Sequence, residues 1–176
     1  MKTVGLAGAL CALLVVLTGC GGGPAYTASA DQPAPSTASE ELAQSGVPPR
    51  SGERRPLGNG LTITLSAPKS FVPADSAYPE AVRAIGFEMT VVNNGTSAYR
   101  PTLLSLSAMA NGAKTQQVID STQGYSGVVG AADVPPGRST RFSVAFAVPE
   151  EKAEVQVSAQ PDPAGATMVT VFDGLA

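Results

Sequence analysis

The sequence predicts an all-β protein, an immunoglobulin-like antiparallel β-sandwich of about seven strands. Glycine (19) and proline (15) together approach a fifth of the 176 residues, which favours many turns over long helices. From residue 57 onward, short segments alternate apolar and polar residues, and this is the period of a half-buried strand. Turn residues separate these segments at short intervals. Together these observations favour a sheet protein.

The first strands lie between residues 61 and 110. Residues 61–66 and 85–91 carry apolar side chains at every second position. Asn93-Asn94-Gly95 is expected to turn the chain after the second of them. Leu104, Leu106 and Ala108 then share one face of a further strand.

A hairpin is expected next. Asn111-Gly112 suits a two-residue turn, because both of its central residues need positive φ. Residues 115–119 are the expected return strand.

The last three strands follow the turn Pro135-Pro136-Gly137. Residues 142–148 give the clearest alternation of the chain, and residues 154–158 repeat it. A turn at residues 162–165 leads to the final strand, residues 167–172. Its inward face is ambiguous between Val169 with Val171 and Met168 with Phe172.

The inward faces of these strands define a predicted core between two sheets. Its members are Ile63, Leu65, Phe87, Met89, Val91, Leu104, Leu106, Phe142, Val144, Phe146 and Val155. The cysteine pair and tryptophan of antibody domains are missing, since the only cysteines are Cys11 and Cys20 and tryptophan is absent.

The N-terminus predicts export and lipid attachment. Lys2 precedes an apolar run, residues 4–17, that is too short to span a bilayer comfortably and is typical of a signal peptide. At its end, Leu17, Thr18, Gly19 and Cys20 resemble the lipobox of bacterial lipoproteins. The resemblance implies that residues 1–19 are a signal peptide and that Cys20 receives a diacylglyceryl group. Its two acyl chains give stable anchoring, at ~0.8 kcal/mol per buried CH₂.

Two alternatives remain for the N-terminus. An ordinary signal peptide would be cut after Ala28-Ser29-Ala30, which has the small-x-small pattern of a cleavage site. An uncleaved membrane helix is the other alternative.

Residues 20–56 are predicted to be the lipidated cysteine and a disordered linker, and residues 57–176 the folded domain. The linker is rich in Gly, Ala, Ser, Thr and Pro and has few large apolar side chains, so it buries too little surface to offset its ordering entropy. Arg54-Arg55 is expected to be a solvated charge pair in this spacer, with attraction to anionic lipid headgroups as the alternative.

Composition argues against catalysis and against nucleic acid. There is no histidine, which removes the commonest general base and metal ligand. The net charge of -3 does not favour binding to the phosphate backbone of a nucleic acid.

The candidate motifs for catalysis and metal binding are weak. Gly124-Tyr125-Ser126-Gly127 is expected to be a loop and not a nucleophile elbow. The carboxylates, among them Asp75, Asp120, Asp133 and Asp162, lack the spacing of a calcium loop. The sequence predicts no enzyme, no cofactor and no metal site.

Two long loops, residues 67–83 and 121–134, are the remaining candidates for function. Capping of the open ends of the sandwich is the favoured interpretation. If these loops bind a partner instead, the expected contact residues are Phe71, Tyr78, Tyr125 and Val129.

Residues 89–96 (MTVVNNGT) and 134–149 (VPPGRSTRFSVAFAVP) resemble a family of bacterial immunoglobulin-like lipoprotein domains of unknown function. This family is related to the secreted immunoprotective antigens of mycobacteria. The resemblance implies the sandwich fold and brings no catalytic residues. The bias toward Ala, Gly, Pro and Val further suggests a high-GC, actinobacterial source.

The expected function is therefore a non-catalytic binding module at the cell envelope. It is held to the membrane by the anchor on Cys20, and its partner is an envelope protein or a small molecule. A first alternative is a lipoprotein that captures a small molecule or metal for a membrane transporter, which requires a pocket between the long loops. A second alternative is an envelope enzyme, which requires a cleft with paired carboxylates.

Overall fold

The computed structural model describes residues 48–165 and 168–176. Within these ranges the chain forms ten strands, two short 3-10 helices and no α-helix. The strands are β1 (Arg54–Gly58), β2 (Leu61–Leu65), β3 (Lys69–Phe71), β4 (Ala84–Asn93), β5 (Ser105–Ala110), β6 (Ala113–Thr115), β7 (Gln117–Val118), β8 (Arg138–Ala147), β9 (Glu154–Gln160) and β10 (Val169–Leu175). The 3-10 helices are Pro101–Leu103 and Ser121–Gln123.

The strands form two antiparallel sheets. The first sheet has the order β1-β2-β4-β8-β7, and β3 pairs with the beginning of β4 next to β2. The second sheet has the order β10-β9-β5-β6. The series β2-β4-β8-β7 matches strands A-B-E-D of the immunoglobulin fold, and β10-β9-β5 matches G-F-C. The predicted immunoglobulin-like sandwich is thus confirmed, with ten strands among the described residues where about seven were expected.

The main core lies between the sheets, where the predicted core residues meet. All of them are buried except Leu106, which is partly buried and packs against the others. Phe87 and Phe172 meet across the core, with 5.1 Å between their ring centroids. Burying each large apolar side chain contributes about 1.5–3 kcal/mol, so this core is the main source of stability for a domain that contains no cysteine.

The hairpin predicted at Asn111-Gly112 is present. Asn111 has φ 49° and Gly112 has φ 77°, as this two-residue turn requires. Ala110 pairs with Ala113 across it.

The return strand predicted over residues 115–119 is wrong in one respect, because the chain changes sheets within it. Residues up to Thr115 pair with β5 in the second sheet, and from Gln117 onward the chain pairs with β8 in the first. The Thr115 hydroxyl donates to the Ala147 carbonyl, and the Ala147 amide donates to the Gln116 carbonyl. A sequence alternation cannot reveal this change of partner.

The ambiguous inward face of the last strand has a structural explanation. The register of β10 against β9 shifts between Thr170 and Phe172, which is a β-bulge. Because a bulge adds one residue to the strand, Val171 and Phe172 are consecutive and both buried. Each of the two sequence patterns therefore contains one of the buried residues.

The boundary predicted at residue 57 falls inside β1, so the described fold begins earlier. Pro49 is buried, and its carbonyl accepts a hydrogen bond of 2.9 Å from the Asp173 amide. Arg54-Arg55 belongs to β1, where Arg55 forms an ion pair of 2.9 Å with Glu53. An edge strand with charged residues and proline has the composition of a linker, which explains the misplaced boundary.

The signal peptide, the lipobox and Cys20 lie outside the described residues. Within the described ranges, no helix is long and apolar enough to cross a membrane.

The direction of the strands defines the two ends of the sandwich. The end at which β4 finishes (Asn93) and β9 finishes (Gln160) is called the upper end. The lower end is where β4 begins at Ala84, opposite Ala147 at the finish of β8.

Candidate functional site

A long loop crosses the outer face of the first sheet. Residues 72–83, called the strap below, leave β3 on one side of β4 and reach the far edge of the sheet beside β7. There Tyr78 and Ile119 exchange two backbone hydrogen bonds of 3.0 and 2.8 Å. Beneath the strap lies a small second core, which consists of Ala77, Ala84, Val118 and Ala145. Small side chains on this face let the strap lie close to the sheet.

The ring of Tyr125 completes this second core. It stacks on the ring of Phe71, with 4.5 Å between centroids and 14° between planes. It also covers Gly86 so closely that a Cβ at that position would lie 2.3 Å from the Tyr125 ring. The glycine is therefore required here by the close approach of an aromatic ring.

Asp120 joins the two long loops. Its buried carboxylate accepts hydrogen bonds from the Ala74 amide in the strap (2.8 Å) and from the Thr122 hydroxyl (2.7 Å). The backbone and side-chain amides of Gln123 donate two more, at 3.2 and 2.9 Å. The hydrogen bond from Ala74, followed by that from Thr122, lowers the pKa of the Asp120 carboxyl below its ordinary value. This carboxylate is a structural group whose oxygens are occupied.

Arg83 fixes the other end of the strap. Its Nη1 donates to the carbonyls of Pro149 and Glu151 at 2.8 and 2.7 Å, and its Nε donates to the Ser70 hydroxyl at 2.8 Å. The strap is thus held at both ends.

The four loop residues predicted as contacts fall into different environments. Phe71 and Tyr125 lie together and are half-buried, and they form part of the second core. Tyr78 is 79% exposed beside Ile119, and Val72 on the same strap is 72% exposed. Val129 is 81% exposed on a separate segment that follows Gly127. The structure therefore brings Phe71 and Tyr125 together and leaves Tyr78 and Val129 pointing to solvent.

The strap and the segment around Tyr125 cover a sheet face and not an open end. The last part of the second loop packs instead on the main core through Val128 and Val134, and Val134 pairs with Tyr99 at the upper end. The Phe71–Tyr125 stack fills the space between the two loops. The pocket that the ligand-capture alternative places between these loops is accordingly not found there among the described residues.

A pocket of about 560 Å³ lies instead at the upper end. Its walls come from the β1–β2 turn (Asn59), the segment after β4 (residues 93–99) and the segment after β9 (Pro161 and Asp162). In the immunoglobulin fold the last two are the B–C and F–G loops, which carry two of the three binding loops of antibody variable domains. The volume is within the range of small-molecule sites.

Close backbone contacts hold the pocket walls. The Asn94 amide donates to the Gly60 carbonyl at 2.8 Å, and a Cβ at Gly60 would lie 2.5 Å from the Gly95 nitrogen. Asn93 is buried, and its Nδ2 donates to the Ser97 and Val134 carbonyls, both at 2.8 Å. The segment after β4 is thus held by one main-chain hydrogen bond and by two hydrogen bonds from the Asn93 side chain to main-chain carbonyls.

Tyr99 connects two of the walls. Its buried hydroxyl donates to the Pro161 carbonyl at 3.1 Å. Burial, with a smaller contribution from the negative charge of Asp162, raises the pKa of Tyr99 to about 12. The Asp162 Oδ1 accepts a hydrogen bond of 2.8 Å from the Ala164 amide. The pocket therefore combines one carboxylate with a floor that contains a neutral tyrosine.

Sequence reasoning missed both Asp120 and the pocket. Asp120 precedes Ser-Thr-Gln, and an acidic residue three positions before glutamine is a helix-capping signal. The pocket has no such local signal, because three separate turns build it.

The remaining carboxylates do not converge. Asp133 lies 3.9 Å from Arg100 in an exposed pair. Among the described residues, no three histidine, cysteine or acidic side chains are arranged to hold a metal ion.

No protein-family model and no curated protein matches the chain. The fold is similar to that of the yjhA protein from Bacillus subtilis, which is 10% identical with a TM-score of 0.54, over 70% of this chain and 98% of that one. It is also similar to a "putative lipoprotein" (ycdA) from Bacillus subtilis subsp. subtilis str. 168, with 11% identity and a TM-score of 0.50. That match covers 71% of this chain and only 39% of the other. At these identities the likeness concerns the fold.

Proposed function

We propose that the chain is a lipid-anchored protein of the bacterial cell envelope and that its sandwich is a non-catalytic binding module displayed outside the membrane. The lipobox-like residues 17–20 support the anchor. The fold likeness to a chain described as a "putative lipoprotein" agrees with this assignment.

One observation carries the binding role: the chain enters the domain away from the pocket. Pro49 is bonded to Asp173, near the finish of β10, and β10 finishes beside the start of β9 at the lower end. The pocket lies at the upper end, where β4 finishes. In the first sheet the Gly52 amide donates to the Leu65 carbonyl, and Leu65 pairs with Met89, four residues before the end of β4, which corresponds to roughly 13 Å of strand. A tether that joins the lower half leaves the upper loops free to meet a partner.

The proposed partners are the membrane, through the diacylglyceryl group on Cys20, and an envelope protein or a small molecule at the upper end. Nucleic acid is not among them, since the net charge is -3. From the turn-and-strand motifs we further infer a relationship to the immunoprotective-antigen family of mycobacteria, and from the bias toward Ala, Gly, Pro and Val an actinobacterial source.

Metabolic labelling with a radioactive fatty acid tests the anchor. The native chain is expected to take up label and to sediment with membranes. Cys20→Ser should lose the label and keep the size of the precursor. Cys11→Ser is the matched control and should behave as the native chain. Membrane-bound Cys20→Ser of native size would contradict the anchor.

Site-specific photocrosslinking in cells tests the binding module. A crosslinking amino acid at Ser97, in the upper wall, is expected to give a discrete product. The same group at Ala113, which is exposed in the lower hairpin, should give none. A product from Ala113 alone would place the contact at the lower end and contradict the proposal.

A second candidate function is ligand capture for a membrane transporter. The pocket of about 560 Å³ favours it, because a surface that binds only proteins does not need a cavity of that size. A small molecule that copurifies with the native chain and is absent from a pocket-filled variant, Ala98→Trp, would support it.

A further inference from the structure

The residues that line the upper pocket carry one charge, and it is negative. Among the described residues, Asp162 is the only ionisable group on the walls besides the buried Tyr99, and no lysine or arginine lines the pocket. The other polar walls are amides and hydroxyls, including Asn59, Thr96 and Ser97. An anionic ligand would meet no positive partner in this pocket.

Within residues 48–165 and 168–176, only one oxygen of the Asp162 carboxylate has a hydrogen-bond donor. Its Oδ1 accepts the hydrogen bond from the Ala164 amide, and no protein group described in the structure donates to Oδ2. The side chain is partly buried, so an ammonium group placed there would be less screened than on an open surface. A charge-assisted hydrogen bond is stronger than a neutral one.

The rest of the pocket is suited to an apolar body. Leu61, Leu103 and Pro161 contribute apolar side chains to the lining. Tyr99 lines the pocket as well and is bonded to Pro161. Tyr99 stays neutral at physiological pH, because its pKa is about 12. It therefore adds no second charge that would alter the ligand preference.

We propose that the upper pocket binds a small organic amine, with its ammonium group on Asp162 and its apolar part against Leu61, Leu103 and Pro161. This inference rests on the proposed function as a binding module and specifies its ligand.

Three probes that share a phenyl ring and have similar size test the charge preference. Phenethylamine, phenethyl alcohol and phenylacetate are titrated into the native full-length chain in detergent, and binding is measured by calorimetry. The amine is expected to bind about tenfold more tightly than the alcohol, as one charge-assisted hydrogen bond permits. Phenylacetate should bind more weakly than both.

Variants locate the effect. In Asp162→Asn, the amine and the alcohol should bind with about equal affinity. Asp133→Asn is the control, because Asp133 lies outside the pocket walls beside Arg100, and it should keep the tenfold preference. Ala98→Trp should abolish binding by filling the pocket.

The outcomes separate this inference from the proposed function. Equal binding of amine and alcohol, or an amine preference that survives Asp162→Asn, overturns the amine assignment and leaves a pocket that binds. Amine binding that survives Ala98→Trp, or no binding of any probe, overturns the site itself. A crosslinked envelope partner at Ser97 would still uphold the binding module in each of these cases.

Discussion

Tyr125 lies over Gly86, in the space that any other residue at position 86 would fill with its Cβ, and its ring stacks on Phe71 with 4.5 Å between centroids. This arrangement joins the segment after β7 to the outer face of β4. It explains why two loops, distant in sequence, behave as one cover on the first sheet.

Gly86→Ala is expected to reduce the free energy of unfolding by about 1–3 kcal/mol, because the added Cβ overlaps the Tyr125 ring. Urea denaturation measures the change. Gly165→Ala is the matched control, since its Cβ would meet nothing within 4 Å, and its effect should stay within about 0.5 kcal/mol. Equal losses from both variants would contradict the close packing.

In a double variant, Tyr125→Ala should remove most of the additional cost of Gly86→Ala. Without the tyrosine ring, the three atoms that lie closest to the new Cβ are gone. A double-mutant cycle detects this coupling as non-additive losses. Additive losses would mean that position 86 is sensitive for another reason.

Asp120→Asn should destabilise the cover, because an amide cannot accept all the hydrogen bonds that the carboxylate accepts from Ala74, Thr122 and Gln123. Hydrogen exchange at the Ala74 amide is expected to accelerate. Asp75→Asn changes an exposed carboxylate of the same strap and should leave that exchange unchanged.

Asp120 also makes stability depend on pH. Its pKa is lowered in the folded state, so its contribution is present above the unfolded value of about 3.9 and is lost as the pH falls through the folded value. The native chain should therefore lose stability in this acidic range more steeply than Asp120→Asn. Parallel curves for the two proteins would contradict the assignment.

Tyr99→Phe should cost about 1 kcal/mol, the usual value of one hydrogen bond, here the bond to the Pro161 carbonyl. Because the folded pKa of Tyr99 is raised to about 12, its contribution is complete below about pH 10 and is lost as the pH rises toward 12. Denaturation of the native chain and Tyr99→Phe across this alkaline range checks the difference, which should shrink with rising pH.

Arg83→Lys should loosen the end of the strap, since a lysine ammonium cannot reproduce the planar fork that reaches Pro149, Glu151 and Ser70. Limited proteolysis should cut residues 72–83 faster than in the native chain. Arg141→Lys, at an exposed pair with Glu88 on β4, is the control and should leave the cleavage rate unchanged.

The sequence predicted the fold well because burial on one face leaves a period of two. Phe87 and Met89 in β4, and Val144 and Phe146 in β8, display this period and occupy the core. Asn111-Gly112 was equally informative, because its turn requires a backbone conformation that few other residue pairs adopt.

Two features had no periodic signal. The edge strand β1 contains Arg54, Arg55 and Pro56, a composition shared with linkers. The pocket depends on three turns that meet only after the strands pair, and Asn59 and Asp162 are more than a hundred residues apart in the chain. Such a site follows from topology and cannot be derived from any single segment.

Pro56 and Tyr78 protect the two borders of the first sheet from pairing with the strands of other chains. The outermost strand on one side of the first sheet contains a proline, which has no amide hydrogen to offer. On the other side, β7 is two residues long, and the backbone of Tyr78 occupies the next position. Neither border of this sheet can recruit a strand from a neighbouring chain. Copies of the chain are thereby kept from joining edge to edge through this sheet.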